Sequence, residues 1–220
     1  KPHERYSSNQ DLKVVGSSPE ALVKLIGRAA SLRPIAGTLQ RGMTSKEDRD
    51  NESSLLDDPK ESAEHVMLVD LARNDLGRVA VAGSVHVDPY RAIERYSHVM
   101  HIVSGVQGEL AAEYDAFDLF AASFPAGTLV GAPKVRAMEI IEEMEDVGRG
   151  LYAGTAGYYG SGGDMDQAIT IRTLVFNGNE YSYQAGAGLV ADSMPKREFQ
   201  EILAKSAILR RALEIAGENL

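Results

Sequence analysis

Two stretches of the sequence carry the same acidic spacing. "KESAEHVMLVDLARND" (60–75) sets Glu61 and Glu64 three residues apart, just ahead of an apolar run, and "KREFQEILAK" (196–205) repeats the spacing with Glu198 and Glu201. Residues three apart share one helical face, where like charges repel modestly. The plain explanation is a pair of solvated helix surfaces. Four carboxylates from two helices, with Lys205 one turn beyond Glu201, also suit a hard divalent cation. Mg²⁺ takes oxygen ligands, binds one or two carboxylates directly and leaves others to hold its waters. On that reading each pair is one direct ligand and one water-holder.

Three further features have chemical potential. In "SHVMHIVSG", His98 and His101 are three apart, so on a strand they face opposite ways, and His101 shares its side with Val99 and Val103. A histidine there is either a packed core residue or a site residue. In "QAITIRTLVF", Arg172 shares a strand face with Ala168, Thr170, Leu174 and Phe176. An arginine in apolar company needs an anion, either an internal carboxylate or that of a substrate, which its fork grips at two points. Glycine loops "PIAGT" (34–38), "FPAGT" (124–128) and "QAGAG" (184–188) let backbone N–H groups approach a ligand, although ordinary turns use the same residues. None has the spacing of a dinucleotide fingerprint or phosphate-binding loop, which argues against nucleotide binding.

The elements that must position these residues follow from pattern and punctuation. "LKVVG" (12–16) reads as a strand, and "ALVKLIGRAASLRPIAGTLQRG", broken by Gly27 and Pro34, as a hairpin. Residues 42–59 are polar and read as a surface loop; a helix spans about 61–74. "GRVAVAGSVHV" reads as strand and turn, and "SHVMHIVSGVQGEL" as one strand. A short helix begins near Asp115, "FPAGTLVGAPK" is a loop, and Pro133 opens another helix. "RGLYAGTAGYYG", "QAITIRTLVFNG" and "EYSYQAGAGLVA" read as three strands, with Asn177-Gly178 a hairpin turn, before a last helix over about 195–217. The class is α+β, with antiparallel strands flanked by helices. Residues 1–11 are polar and expected to be loose, ahead of one domain over 12–220.

Composition bounds the partners. The chain has 220 residues, 44% hydrophobic and 25% charged, which is ordinary globular usage. There is no cysteine, so no thiol nucleophile, thiolate metal site or disulfide framework. A net charge of −9 argues against nucleic acid as a partner. No apolar run approaches the roughly 18 residues of a membrane span, and "KPHERYSSNQ" has no signal-peptide character, so the expected location is cytoplasmic.

Taken together and in order, "RPIAGT", "EHVMLVDLARNDLGRV", "ERYSHVMHIVSGVQGEL", "FPAGTLVGAPKVRAMEIIEEME", "RGLYAGTAGYYG", "AITIRT" and "QAGAGLVADSMPKREFQE" resemble the chorismate-binding part of anthranilate synthase component I and its relatives, over about residues 12–215. The resemblance implies an antiparallel β-sandwich with outer helices, holding chorismate and Mg²⁺ in a cleft. It implies Glu64 and Glu201 as Mg²⁺ ligands with Glu61 and Glu198 as their partners. It implies substrate contacts at Gly37, Thr38, Gly186, Ala187, Gly188 and Lys205. Tyr152 and Arg172 would hold the enolpyruvyl carboxylate, Thr128 would stand near the ring, and His101 would be catalytic, protonating a departing oxygen or helping pyruvate leave.

The implied reaction joins chorismate and ammonia to give anthranilate and pyruvate, a step of tryptophan biosynthesis, with ammonia supplied from glutamine by an amidotransferase subunit (component II). Typical aminodeoxychorismate synthases carry a nucleophilic lysine where this chain has Ala36, which favours anthranilate synthase. Isochorismate, salicylate or aminodeoxychorismate synthesis are the rival activities; a non-catalytic fragment that only binds Mg²⁺ and ligand is another reading. Members of the family are about twice as long and usually carry "PSPYM" where this chain has "KPHERYSSNQ". The expectation is therefore an incomplete sandwich, the C-terminal portion of the domain, completed by a missing N-terminal half or by self-association.

Overall fold

The computed structural model describes residues 3–6, 12–96, 99–191 and 193–218. The chain runs β1 (His3–Tyr6), β2 (Leu12–Gly16), β3 (Ala21–Ile26), β4 (Ala29–Leu32), β5 (Ile35–Gln40), α1 (Ser45–Asp57), α2 (Pro59–Gly77), β6 (His86–Val87), β7 (Ala92–Arg95), β8 (Val99–Val103) and β9 (Val106–Glu109). It continues through α3 (Ala116–Ser123), α4 (Gly127–Val130), α5 (Lys134–Met144), β10 (Thr155–Tyr159), β11 (Met165–Ile169), β12 (Thr173–Asn177), β13 (Glu180–Ser182) and α6 (Pro195–Glu218). The strands form three sheets, ordered β1-β2-β12-β13, β10-β11-β3-β4-β9-β6 and β5-β8-β7. Their pairings are antiparallel, in keeping with the α+β class expected.

The main core lies between the six-stranded sheet and the apolar faces of α2 and α3. Val23, Leu76, Val106, Leu119 and Met165 are almost fully withdrawn from water there. Each such side chain contributes about 1.5–3 kcal/mol of transfer free energy. A smaller core seats Leu55 of α1 on Met100 and Ile102 of β8. Glu61 and Glu64 lie one turn apart near the start of α2, while His65, Leu68, Val69 and Leu76 of the same helix are buried. One helix thereby fixes the acids relative to the sheet.

Several expectations are corrected. Residues 42–59 are not a loop: Thr44 and Glu47 form a reciprocal capping box that starts α1. Arg41 then grips Asp48, and Arg95 pairs with Glu52, tying this polar helix to its neighbours. "SHVMHIVSGVQGEL" divides at Ser104-Gly105 into β8 and β9, which belong to different sheets. "QAITIRTLVFNG" divides likewise, because Arg172 has φ 50° and turns the chain from β11 into β12 of another sheet. Of "EYSYQAGAGLVA" only β13 is extended, and the glycines that follow run as irregular chain. "GRVAVAGSVHV" yields β6 and a single bridge from Ala80 to Leu110. Within the segment expected to be loose, His3–Tyr6 pair with β2. His98 lies outside the described residues.

Candidate functional site

Gly37 sets the first corner. It has φ 75°, a conformation that favours glycine, and makes a bulge in β5, so that pairing with β8 shifts between Ala36 and Thr38. The shift brings Thr38 opposite His101. A Cβ on Gly37 would lie 3.2 Å from Glu61 Oε2, so the bulge also touches the acidic end of α2. His101 is half-buried on β8, between half-buried Val99 and fully buried Val103 on its own side, while Met100 and Ile102 fill the opposite side. The side it occupies thus runs from the core at Val103 toward the open cleft.

His101 Nδ1 lies 3.0 Å from the Gly37 carbonyl and 3.0 Å from Thr38 Oγ1. A carbonyl only accepts, so Nδ1 carries the hydrogen and Nε2 is left with a lone pair. Burial pushes the imidazole below its ordinary pKa; the Gly37 hydrogen bond opposes this and the Arg172 charge adds to it. His101 is therefore a neutral ring and a proton acceptor at neutral pH.

A second cluster gathers around a residue that the sequence reading passed over. Glu20 ends the "SSPE" turn, and its carboxylate accepts a 3.3 Å hydrogen bond from Thr128 Oγ1 of α4. Burial raises its pKa, and the Thr128 hydrogen bond and the charges of Arg172 and Lys205 only partly counter that. Its signal in the sequence was faint: one acid after Ser-Pro reads as turn chemistry. Arg172 is half-buried and its side chain has no hydrogen-bond or ion-pair partner among the described residues. Of the two partners left open for it, an internal carboxylate in direct contact is not found among them; Glu20 is felt only as a charge. Tyr152, whose pKa burial raises, has Arg149 5.6 Å from its ring centroid.

The glycine segment closes the far side. A Cβ on Gly186 would lie 2.9 Å from the Tyr152 hydroxyl, and one on Gly188 would lie 3.5 Å from Glu64 Oε1. Lys205 Nζ donates to the Gly186 carbonyl at 3.2 Å and pairs with Glu201 at 2.6 Å. Ala187 lies half-buried between the two glycines.

The expected metal-binding acids are partly assembled. Among the described residues no group of three or more His, Asp or Glu side chains is closed around one point. Glu198 is buried and faces Lys60 Nζ at 3.9 Å. All four acids are oxygen donors, the type a hard cation takes. Burial pushes the Glu61 carboxyl up, and the negative charges of Glu64, Asp58 and Glu201 push it further, with Lys60 opposing. A divalent ion among oxygen donors relieves this repulsion.

Glu20 precedes β3, Gly37 and His101 lie in the β5-β8-β7 sheet, and Arg172 joins the other two sheets. The site thus lies where three sheets meet, with α2 and α6 supplying acids and Lys205. It brings together an arginine with no side-chain partner among the described residues, an acid whose pKa burial raises, an imidazole whose pKa burial lowers and the carboxylates of α2 and α6, which suits binding of an anionic group beside acid–base chemistry.

Residues 1–211 match the family model for chorismate binding enzyme. Anthranilate synthase component 1 of Aquifex aeolicus is 57% identical over 99% of this chain and 44% of its own length. Aminodeoxychorismate synthase component 1 of Bacillus subtilis is 52% identical over 99% of the chain and 46% of its length. The crystal structure of anthranilate synthase component I from Streptococcus pneumoniae superposes with a TM-score of 0.83 at 44% identity, over 92% of this chain and 45% of that one. The menaquinone-specific isochorismate synthase of Escherichia coli superposes at 0.80 with 28% identity, over 91% and 46%. The chain thus spans under half the length of these relatives.

Proposed function

Because the chain belongs to the chorismate binding enzyme family, we propose that it carries the chorismate site of an anthranilate synthase component I. The observation that carries this reading is Arg172, half-buried at the joint of two sheets with no side-chain partner among the described residues, its charge felt by both Glu20 and His101.

Arg172 and Tyr152 receive the enolpyruvyl carboxylate, and the Gly186–Gly188 backbone and Lys205 lie along the substrate. Glu64, Glu201, Glu61 and Glu198 would hold Mg²⁺, which when bound supplies positive charge for the ring carboxylate. Ammonia adds at C2 as the C4 hydroxyl leaves; Glu20, whose carboxyl burial pushes above its ordinary pKa, is the group we assign to donate the proton that makes water the leaving group. The second stage expels pyruvate and aromatises the ring. There the His101 Nε2 lone pair takes the C2 proton, and the enolpyruvyl carbon gains a proton as pyruvate departs. Chorismate plus ammonia thus becomes anthranilate, pyruvate and water. A neutral acceptor suits this second stage better than protonation of the departing hydroxyl. Nitrogen from glutamine implies an amidotransferase partner.

A second reading, aminodeoxychorismate synthase, is favoured by the Bacillus subtilis relative. Against it, Ala36 is buried and paired with Ile102, so this position offers no amine nucleophile. The test is incubation with chorismate, Mg²⁺ and ammonium, with product identified by fluorescence and mass. Anthranilate is expected. Nitrogen at C4, a nitrogen-free isomer, or Mg²⁺-dependent binding without conversion each replaces the proposal with a stated rival.

A further inference from the structure

Lys134 has no part in the site as described, yet its ammonium is among the most enclosed charges in the molecule. It donates to Asp75 Oδ2 at 2.7 Å and to the Ser123 carbonyl at 2.9 Å, and the Lys134 and Asp75 side chains are only 11% and 4% exposed. Asp75 Oδ1 is buried with no hydrogen-bond partner among the described residues. Burial pushes the Asp75 carboxyl up while Lys134 holds it down. Desolvating such a pair costs several kcal/mol per ion, so stability is a weak reason to keep it. Geometry is a better one.

Ser123 is the last residue of α3 and Lys134 the first of α5, so one ammonium ties both ends of the intervening loop to the last turn of α2. That loop carries α4, a single turn with no side-chain cap, followed by Gly131 at φ 99°. It has little means of holding its own shape. Its outer anchor is Arg149 Nη1 on the Leu129 carbonyl at 2.9 Å. Its inner face presses on α2, where a Cβ on Gly127 would fall 1.9 Å from Leu71 Cδ2. On the cleft side it offers Thr128 to Glu20. A cavity of about 50 Å³ between them is lined by Asp75, Ser123, Thr128 and Glu20, so clamp and acid border the same space.

We propose that Lys134, acting through Asp75 and the Ser123 carbonyl, is a positioning residue that seats α4 on α2 and so holds the Thr128 hydroxyl on Glu20. Its catalytic consequence rests on the reading of Glu20 as the proton donor. The other groups that bear on Glu20 are Arg172 between β11 and β12, Lys205 on α6 and Tyr152 ahead of β10.

The experiment compares Lys134→Met, Thr128→Val, the double variant, Lys134→Arg and Glu20→Gln. It reads kcat, KM for chorismate, and the titration of the Glu20 carboxyl by carbon-13 NMR, assigned with Glu20→Gln. Lys134→Met is expected to lower kcat about tenfold with little change in KM. It should raise the Glu20 titration as Thr128→Val does, because both remove the same hydrogen bond. The double variant should be no worse than the poorer single one, and Lys134→Arg should recover most of kcat. Additive losses, or a Glu20 titration unmoved by Lys134→Met, overturn the clamp. If Lys134→Met does not fold, Asp75→Asn, which keeps a carbonyl toward the ammonium, must move Glu20 in the same direction or the clamp falls. If Glu20→Gln leaves turnover intact while Lys134→Met still moves the titration, the proton-donor reading fails and the clamp stands.

Discussion

An imidazole whose Nδ1 hydrogen is committed to a backbone carbonyl has one chemical use left. For His101 that use is acceptance at Nε2. Exchange to alanine removes a half-buried ring and no core packing, so His101→Ala should keep the melting temperature within a few degrees and lower turnover by roughly two orders of magnitude. Loss of melting temperature in proportion to activity would mark a packing role instead. The other histidine of interest, His65, is the opposite case. It is fully buried, its Nε2 lies 2.7 Å from Ser104 Oγ, and burial, with the Arg91 charge, pushes it down to about 4. The unfolded chain binds its proton near pH 6.5, so between about pH 6.5 and 4 the unfolded state holds one more proton. Stability should therefore fall as pH drops through that window, by up to about 3 kcal/mol, and be level for this group above it. Denaturant unfolding of parent and His65→Gln across pH 4–7 measures this; equal slopes would refute it. At this scale the sequence exposed the acids, His101 and Arg172 by type and spacing. It hid Glu20 and Asp75, whose importance comes only from burial.

At the scale of elements, local patterns were legible where one periodicity ran alone. α2, α3, α5 and α6 and the hairpin of β3 and β4 followed from apolar spacing and caps. Two of the failures share a cause: chain that changes partners midway. β8–β9 and β11–β12 each read as one β-branched run, because nothing in side-chain type records that a strand leaves one sheet for another. The α1 helix was missed because charge pairs and a capping box, not an apolar stripe, hold it. The β5 bulge tests how far such local geometry reaches. An alanine at Gly37 meets Leu55 Cδ1 at 3.2 Å and Ile102 Cδ1 at 3.3 Å as well as the Glu61 carboxylate, and must hold φ 75°. Gly37→Ala should cost about 1–2 kcal/mol and depress chorismate affinity, since Thr38 and His101 move with the bulge. Calorimetry of folding and of binding together checks it; a stable variant of parental affinity would show that the bulge does not set the site.

At the scale of the whole molecule, the described surface holds apolar groups that soluble surfaces seldom show together: Phe117 stacks on Tyr159 of the edge strand β10, and Val135 and Met144 of α5 are more than half exposed. Such surface invites cover. The 220-residue chain should therefore self-associate as its concentration rises, as sedimentation velocity over a dilution series would reveal; a compact monomer throughout would argue against an incomplete sheet assembly. Glu20 and Lys205 come from opposite ends of the sequence, and Arg172 is the joint between two sheets. Contacts of such long sequence separation close late in folding, after the local hairpins and helices have formed. The cleft should be the last part to set and the first to loosen. Substrate then acts as a late fastener: at a hundredfold excess over its Kd it adds about 2.7 kcal/mol, delivered where protease would otherwise enter, so resistance to cleavage at 170–190 should track occupancy of the cleft.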